Sequence, residues 1–235
     1  MRKVPALLVA CLLAAGVYYL ARGGTAPPTP VEPGDREVVF RIDRIEITKG
    51  ELEEHAAFLE EVGGDRSPAQ IRRFLLSDLL LPRRIAESLI PEENRREARE
   101  KAEALAAVVA AKGGRLAALR EEGARFGGGE APRPFTPTSG LPADALEILF
   151  SLEIGAVSPP LELRWGCLIL SPISEKKGLD LRSTERRAYT VFFPNGATEA
   201  LKAEADDILR DLLRNGRPWI HPYYEDALSP LFPSL

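Results

Sequence analysis

The side chains that most often do chemistry lie far apart in this sequence: His55, His221, Cys11 and Cys167. Zinc sites need four ligands, usually grouped in closely spaced pairs, and two lone histidines with two lone cysteines offer little for one. Two cysteines cannot make the disulfide framework of a small secreted domain. No P-loop, dinucleotide fingerprint, HExxH or GxSxG occurs. No catalytic residue, cofactor or metal is therefore assigned. His55 falls within a helical pattern and reads as an exposed helix position. His221 lies in Trp219-Ile220-His221-Pro222-Tyr223-Tyr224, which reads as a packed C-terminal cap or as a partner surface. Cys167 reads as a small core residue. The 31 basic and 35 acidic side chains give a net charge of -4 with no concentrated basic face, which argues against a dedicated nucleic-acid binder.

Positioning any site falls to elements that the local chemistry marks well. The chain of 235 residues is 45% hydrophobic, enough for a sizeable core in one or two domains. Val38, Phe40 and Ile42 alternate, as do Ile45 and Ile47. This predicts two short extended pieces around a tight turn at Asp43-Arg44. Thr48 and Glu51 form a capping box that starts a helix running to about Glu61, stopped by Gly63 and Gly64. Ser67, Pro68 and Gln70 mark the next start, with Pro82 kinking or dividing that helix. A long charged helix follows over residues 92–112, apolar at Ala98, Ala102, Leu105, Val108 and Val109, and then a short helical unit over 116–123. Residues 127–140, GGGEAPRPFTPTSG, read as a loop. A helix over 143–152 should bury Leu146, Leu149 and Phe150. Residues 161–163 and 167–170 read as strands around Arg164-Trp165-Gly166, and 188–193 as a further strand. A helix over 197–215 turns Leu201, Ile208, Leu212 and Leu213 inward, before an irregular tail.

At the N-terminus, Arg2 and Lys3 precede 18 uncharged residues, 4–21, closed by Arg22. A spanning helix needs roughly 20 residues, and a signal-peptide core has roughly 7 to 15. The run reads as an uncleaved signal anchor. A cleaved signal peptide, or a lipoprotein box ending at Cys11, are the alternatives. The two basic side chains before the run, against one after it, are a slight orientation signal for a body outside the cytoplasm, which the resemblance described below adds to. That body carries 28 basic and 35 acidic residues.

Two stretches resemble exported parvulin-type peptidyl-prolyl isomerases and their chaperone relatives, the SurA and PrsA group. Residues 38–54 are similar to that family's opening strand, turn and threonine-capped helix. Residues 141–170, LPADALEILFSLEIGAVSPPLELRWGCLIL, are similar to the second half of a parvulin domain. There the family pattern falls on Phe150-Ser151-Leu152, Gly155, Ser158-Pro159-Pro160 and Trp165-Gly166-Cys167-Leu168. Arg115-Leu116-Ala117-Ala118-Leu119 matches the sequel of the parvulin helix. The resemblance implies an exported protein that handles unfolded or proline-containing chains. The family's chemistry is rotation about an X-Pro bond, with a barrier of roughly 20 kcal/mol. The polar residues of the family site are missing here. The last-strand histidine falls on Leu168. The first-strand histidine has no counterpart in Ala86-Glu87-Ser88-Leu89-Ile90. The central cysteine or aspartate is replaced by Arg120, Glu121, Glu122 and glycine-rich sequence.

The expected fold is α+β: an N-terminal membrane anchor (1–22), a Pro/Gly-rich tether (23–36), a helical SurA/PrsA-like arm (37–91), a reduced parvulin-like domain (92–178) and a C-terminal strand, helix and aromatic tail (179–235). The expected activity is that of a non-catalytic chaperone or assembly factor. Leu141, Ala145, Leu146 and Leu168 would form the substrate-binding recesses for unfolded or extended polypeptide clients. An active isomerase with an atypical site and a structural subunit of an envelope protein complex are the alternatives. The expected location is the bacterial inner membrane, with the soluble body in the periplasm.

Overall fold

The computed structural model describes residues 30–127, 129–138 and 141–233. From Pro33 onward the described chain is one compact unit. Its architecture is α+β, with a three-stranded and a four-stranded antiparallel sheet. The membrane anchor expected at the start of the fold is not part of it. Among the described residues no helix is long and apolar enough to cross a membrane. The apolar run 4–21, Cys11 included, lies outside the described residues.

The first elements form as their local signals dictate. Strand β1 (Val38–Ile42) pairs with β2 (Ile45–Thr48) through a turn in which Asp43 takes φ 50°, a left-handed value that aspartate tolerates. The Thr48 hydroxyl accepts from the Glu51 amide, and the Glu51 carboxylate accepts from the Thr48 amide at 2.8 Å, which starts helix α1 (Lys49–Glu53). The expected single helix to Glu61 is broken at Glu54-His55. A second helix, α2 (Ala56–Val62), follows and ends at Gly63.

Ser67 and Gln70 cap helix α3 (Pro68–Phe74) reciprocally. Pro82 then changes the pitch of the rod without ending it. A proline withholds its own N–H and crowds the carbonyl one turn back. Leu75–Leu80 widen into a π-helix, in which the Leu81 N–H reaches back to the Leu76 carbonyl, before α4 (Leu81–Leu89) resumes. Residues 86–89, where a family-type first strand was sought, are thus helical.

Helix α5 (Glu92–Ala111) buries Ala98, Ala102, Leu105 and Val109, while Val108 points to solvent. Helix α6 (Leu116–Arg125) follows. The stretch read as a loop contains a strand, β3 (Gly129–Phe135). Its prolines, Pro132 and Pro134, sit on the edge of the sheet ordered β3-β6-β5-β4, where one side of the strand has no neighbour and proline is best tolerated.

Helix α7 (Ala143–Ser151) leads to the hairpin of β4 (Leu161–Leu163) and β5 (Gly166–Lys176), with β6 (Glu185–Pro194) on the far side of β5. Helix α8 (Glu199–Asn215) buries only Ala205 fully, and Leu201, Ile208, Leu212 and Leu213 are half-buried. The tail is more ordered than expected. Strand β7 (Trp219–Ile220) pairs with β1, and short helix α9 (Glu225–Leu228) brings Leu228 inward. Tyr224 and Phe232 are buried beside it, and Phe232 stacks on Phe40 with centroids 5.6 Å apart.

The four-stranded sheet separates two cores. One face carries Leu168, Leu170 and Ala188, packed with α7 and the N- and C-terminal elements. The other carries Cys167, Ile169, Tyr189, Val191 and Phe193, packed under α5 and α6.

The α1 capping box gives the first test. Burial pushes the Glu51 carboxyl up, but the Thr48 hydrogen bonds and Arg84 outweigh it and hold it below the ordinary 4.5. A depressed folded value stabilises above that pH, and the contribution is lost as pH falls through the folded value. Thr48→Ala should cost about 1 kcal/mol at about pH 7. It should also lose less stability than the parent when urea midpoints at about pH 7 and about pH 3 are compared. An unchanged acid dependence would count against the capping box as its source.

Candidate functional site

The β4–β5 turn is tightly specified. Gly166 adopts φ 155°, and a Cβ placed there would lie 2.1 Å from the Phe193 carbonyl oxygen. Only glycine lets β6 approach this closely. On the approach to the hairpin, Ser158 straps the chain to β5: its amide donates to Leu170 O at 2.9 Å and its hydroxyl accepts from Leu170 N at 3.0 Å. Pro159 and Pro160 follow, where no further amide donor is needed. The hairpin register sets Leu161 opposite Leu168 and Leu163 opposite Gly166. Across β5 and β6, Leu168 faces Phe192 and Leu170 faces Thr190. The period-two alternation therefore puts Leu163, Leu168, Thr190 and Phe192 on one face.

Helix α7 covers only part of that face. Arg186 fixes it in place: its guanidinium donates to the Leu149 and Leu152 carbonyls at 2.7 and 2.6 Å, pairs with Glu175 at 2.7 Å and lies over Phe150. Phe150, expected in the core, is half-buried beneath that cation. Past the N-terminal end of α7 the sheet stays open as a groove of about 270 Å³. Leu163, Leu168, Thr190 and Phe192 form its floor, Leu141 and Pro142 one wall, and Arg164 and Trp165 another.

The polar groups of the groove are largely engaged with one another. Thr190 is buried, and its hydroxyl donates to Glu130 at 3.4 Å. Arg133 lies 3.5 Å from the same carboxylate and over the Phe135 ring. The Arg164 guanidinium stacks over Trp165 at 4.4 Å and donates to Asp206 at 2.8 Å. What remains for a ligand is an apolar and aromatic trough with a charged rim.

Of the four residues singled out in the sequence, Leu141 and Leu168 line this groove together. Leu141 also borders a second recess of about 120 Å³ with Leu146, Leu59, Val62 and Phe74. Ala145 is fully buried and opens to neither, so it is a core residue. Trp165, Phe192, Thr190 and Glu130 went unassigned. Trp165 sits directly before the matched glycine, and strict alternation along residues 188–193 marks Thr190 and Phe192 as sharing a face. Glu130 was hidden in the proline-rich stretch.

The histidines are elsewhere. His55 is not exposed: its Nδ1 is 2.6 Å from Glu147 and its side chain is 14% exposed, joining the α1–α2 break to α7. His221 accepts the Tyr223 amide on Nδ1 at 3.2 Å and lies 3.7 Å from Glu37. Cys167 faces the other core, where burial pushes its thiol up to about 11, away from the thiolate that nucleophilic chemistry needs. Glu122 is buried against Lys112 and Arg125 and does not line the groove. Among the described residues no group of three or more His, Cys, Asp or Glu is placed to hold a metal ion.

The chain matches no protein-family model, and neither the curated proteins nor the solved structures contain a significant match to it.

Gly166→Ala tests whether the turn shapes this site. Crowding and backbone strain should each cost about 1–3 kcal/mol, read as a lower urea midpoint. Trp165 emission should shift red as the wall opens. A stability change within about 0.5 kcal/mol would show that the turn is not under this constraint.

Proposed function

We propose that this protein binds extended, proline-containing polypeptide segments in the groove over β5 and β6 and acts as a non-catalytic chaperone or assembly factor. The observation that carries this reading is the composition of the groove. It pairs an aromatic and aliphatic floor with a rim whose charges already have partners, and no histidine lines it. A proline ring is apolar and flat, and it packs well against Trp165, Phe192 and Pro142. Such contacts take up the ground-state and the twisted amide about equally. Uniform binding of that kind gives affinity without much rate. Rotation would be accelerated only by fixed polar groups that favour the twisted state. The groove offers few: Thr190 already donates to Glu130, and Leu168 stands where a family-type site would have histidine.

Trp165 provides the signal for the test. Trp219 is the other tryptophan and does not line the groove. In a Trp219→Phe background, titration with an extended peptide containing X-Pro should change Trp165 emission. Phe192→Ala should weaken that binding by about tenfold, the equivalent of about 1.4 kcal/mol. The chain should slow aggregation of an unfolded client at near-stoichiometric amounts. Exchange NMR on the same peptide should show no acceleration of cis-trans exchange. A catalytic efficiency above roughly 10⁴ M⁻¹s⁻¹ would replace this reading with that of an isomerase with an atypical site. Glu130, the carboxylate in the groove, would then be the first residue to substitute.

A further inference from the structure

A second feature lies across the β4–β5 turn from the groove. Four buried polar atoms there have no hydrogen-bond partner: Nε of Arg83, Arg95 and Arg164, and Oδ1 of Asn195. Among the described residues only one further atom, Ser171 Oγ, shares that condition. All four belong to residues lining a single crevice of about 30 Å³ between α4, α5, the β4–β5 turn and the turn after β6. Buried donors and acceptors are nearly always satisfied, and each orphan costs about 1–3 kcal/mol. Four such atoms around one space point to a ligand that both accepts and donates.

Charge and size decide what that ligand is. One outer nitrogen of each of the three arginines is already engaged, that of Arg83 by Asp144, of Arg95 by Glu92 and of Arg164 by Asp206 at 2.8 Å. The two carboxylates that also line the crevice are paired as well, Glu87 with Arg84 and Glu162 with Arg99. An anion would therefore meet no net positive field. The space of about 30 Å³ exceeds the roughly 10–15 Å³ that one water needs and suits one or two.

We infer that the crevice is a built site for one or two bound waters, with Asn195 as the acceptor that anchors them. A water there accepts from arginine Nε–H groups and donates to Asn195 Oδ1. It ties together four segments that are distant in sequence. Because Arg164 is one of its donors and stacks on Trp165, the site also fixes one wall of the groove. That last link rests on the polypeptide-binding reading and makes Asn195 a positioning residue.

The test uses the full-length chain. Oxygen-17 relaxation dispersion should count at least one fewer long-lived water in Asn195→Leu than in the parent. Asn195→Asp, which keeps an acceptor oxygen, should retain it. A crystal structure of the parent should place water within hydrogen-bond distance of Asn195 Oδ1 and at least one arginine Nε. Peptide affinity, read at Trp165, should fall about threefold to tenfold in Asn195→Leu, the worth of one hydrogen bond, and recover in Asn195→Asp. A dry crevice, an ordered anion in it, or equal water counts would overturn the site. If Asn195→Leu fails to fold, the parent crystal structure and Asn195→Asp still decide it. Waters present with unchanged peptide affinity would overturn the positioning role. No peptide binding by the parent would sink the groove reading and leave the water result standing.

Discussion

The antiparallel ladder between β5 and β6 is the constraint on which the rest of this structure depends. Ten residue pairs run from Gly166–Pro194 to Lys176–Glu185, interrupted by an irregularity between Pro172 and Ser174. Every second residue faces one core and its neighbours face the other. A slip of one position would exchange the two sets. Leu168 and Leu170 would meet α5 and α6, while Cys167 and Ile169 would meet α7. Several local devices hold the register: the Gly166 contact with Phe193, the two Ser158 bonds to Leu170, and the Arg186–Glu175 pair at the far end. The groove and the polar crevice are consequences of the same ladder. They lie on either side of the short β4 edge, and Leu163 and Arg164 border both.

The second organising contact closes the chain on itself. Strand β1 takes β2 on one edge and β7, from near the C-terminus, on the other. Beneath that sheet Tyr224 donates to Glu53 at 2.8 Å, and Arg72 grips the same carboxylate through two nitrogens at 2.6 and 2.9 Å. Burial and the Glu53 bond push the Tyr224 hydroxyl well up, so it remains a donor across the neutral range. The β1–β7 and Tyr224–Glu53 pairs join residues separated by most of the chain, and their loop-closure entropy must be met before they contribute. The helical arm and the tail are therefore one substructure, even though the sequence places them at opposite ends.

Elements with strong local chemistry were legible from sequence. Both capping boxes, the Asp43-Arg44 turn, helix α5 and the β4–β5 hairpin form where their residues predict them. What escaped notice was set by tertiary context. Residues 129–135 carry two prolines and little apolar pattern, and only their place at a sheet edge makes a strand of them. His55 looked exposed because its partner, Glu147, is 92 residues away. Phe150 has the spacing of a core residue, but Arg186 takes the carbonyls at the end of α7 and holds its cation over the ring. Ala145, expected in a substrate recess, is fully buried in the core. Only part of the groove was readable, through Leu141 and Leu168. Its lining also draws on β3 and β6, strands whose pairing partners no local signal names.

The groove's chemistry follows from which atoms the fold leaves unsatisfied and where. An enzyme for X-Pro rotation must remove part of a barrier of roughly 20 kcal/mol, and it does so with polar groups held ready for the twisted amide. Here the polar groups near the apolar trough are paired with one another, Thr190 with Glu130 and Arg164 with Asp206, and realigning any of them toward a ligand would break a bond already made. Four of the five buried atoms without partners belong instead to residues that line the crevice. The fold thus separates an apolar contact surface from its reserve of hydrogen-bonding capacity. On the proposed reading, that reserve stiffens the wall, and the surface selects by shape and apolar area. On the same reading, that division would suit recognition of many extended segments better than acceleration of one bond rotation.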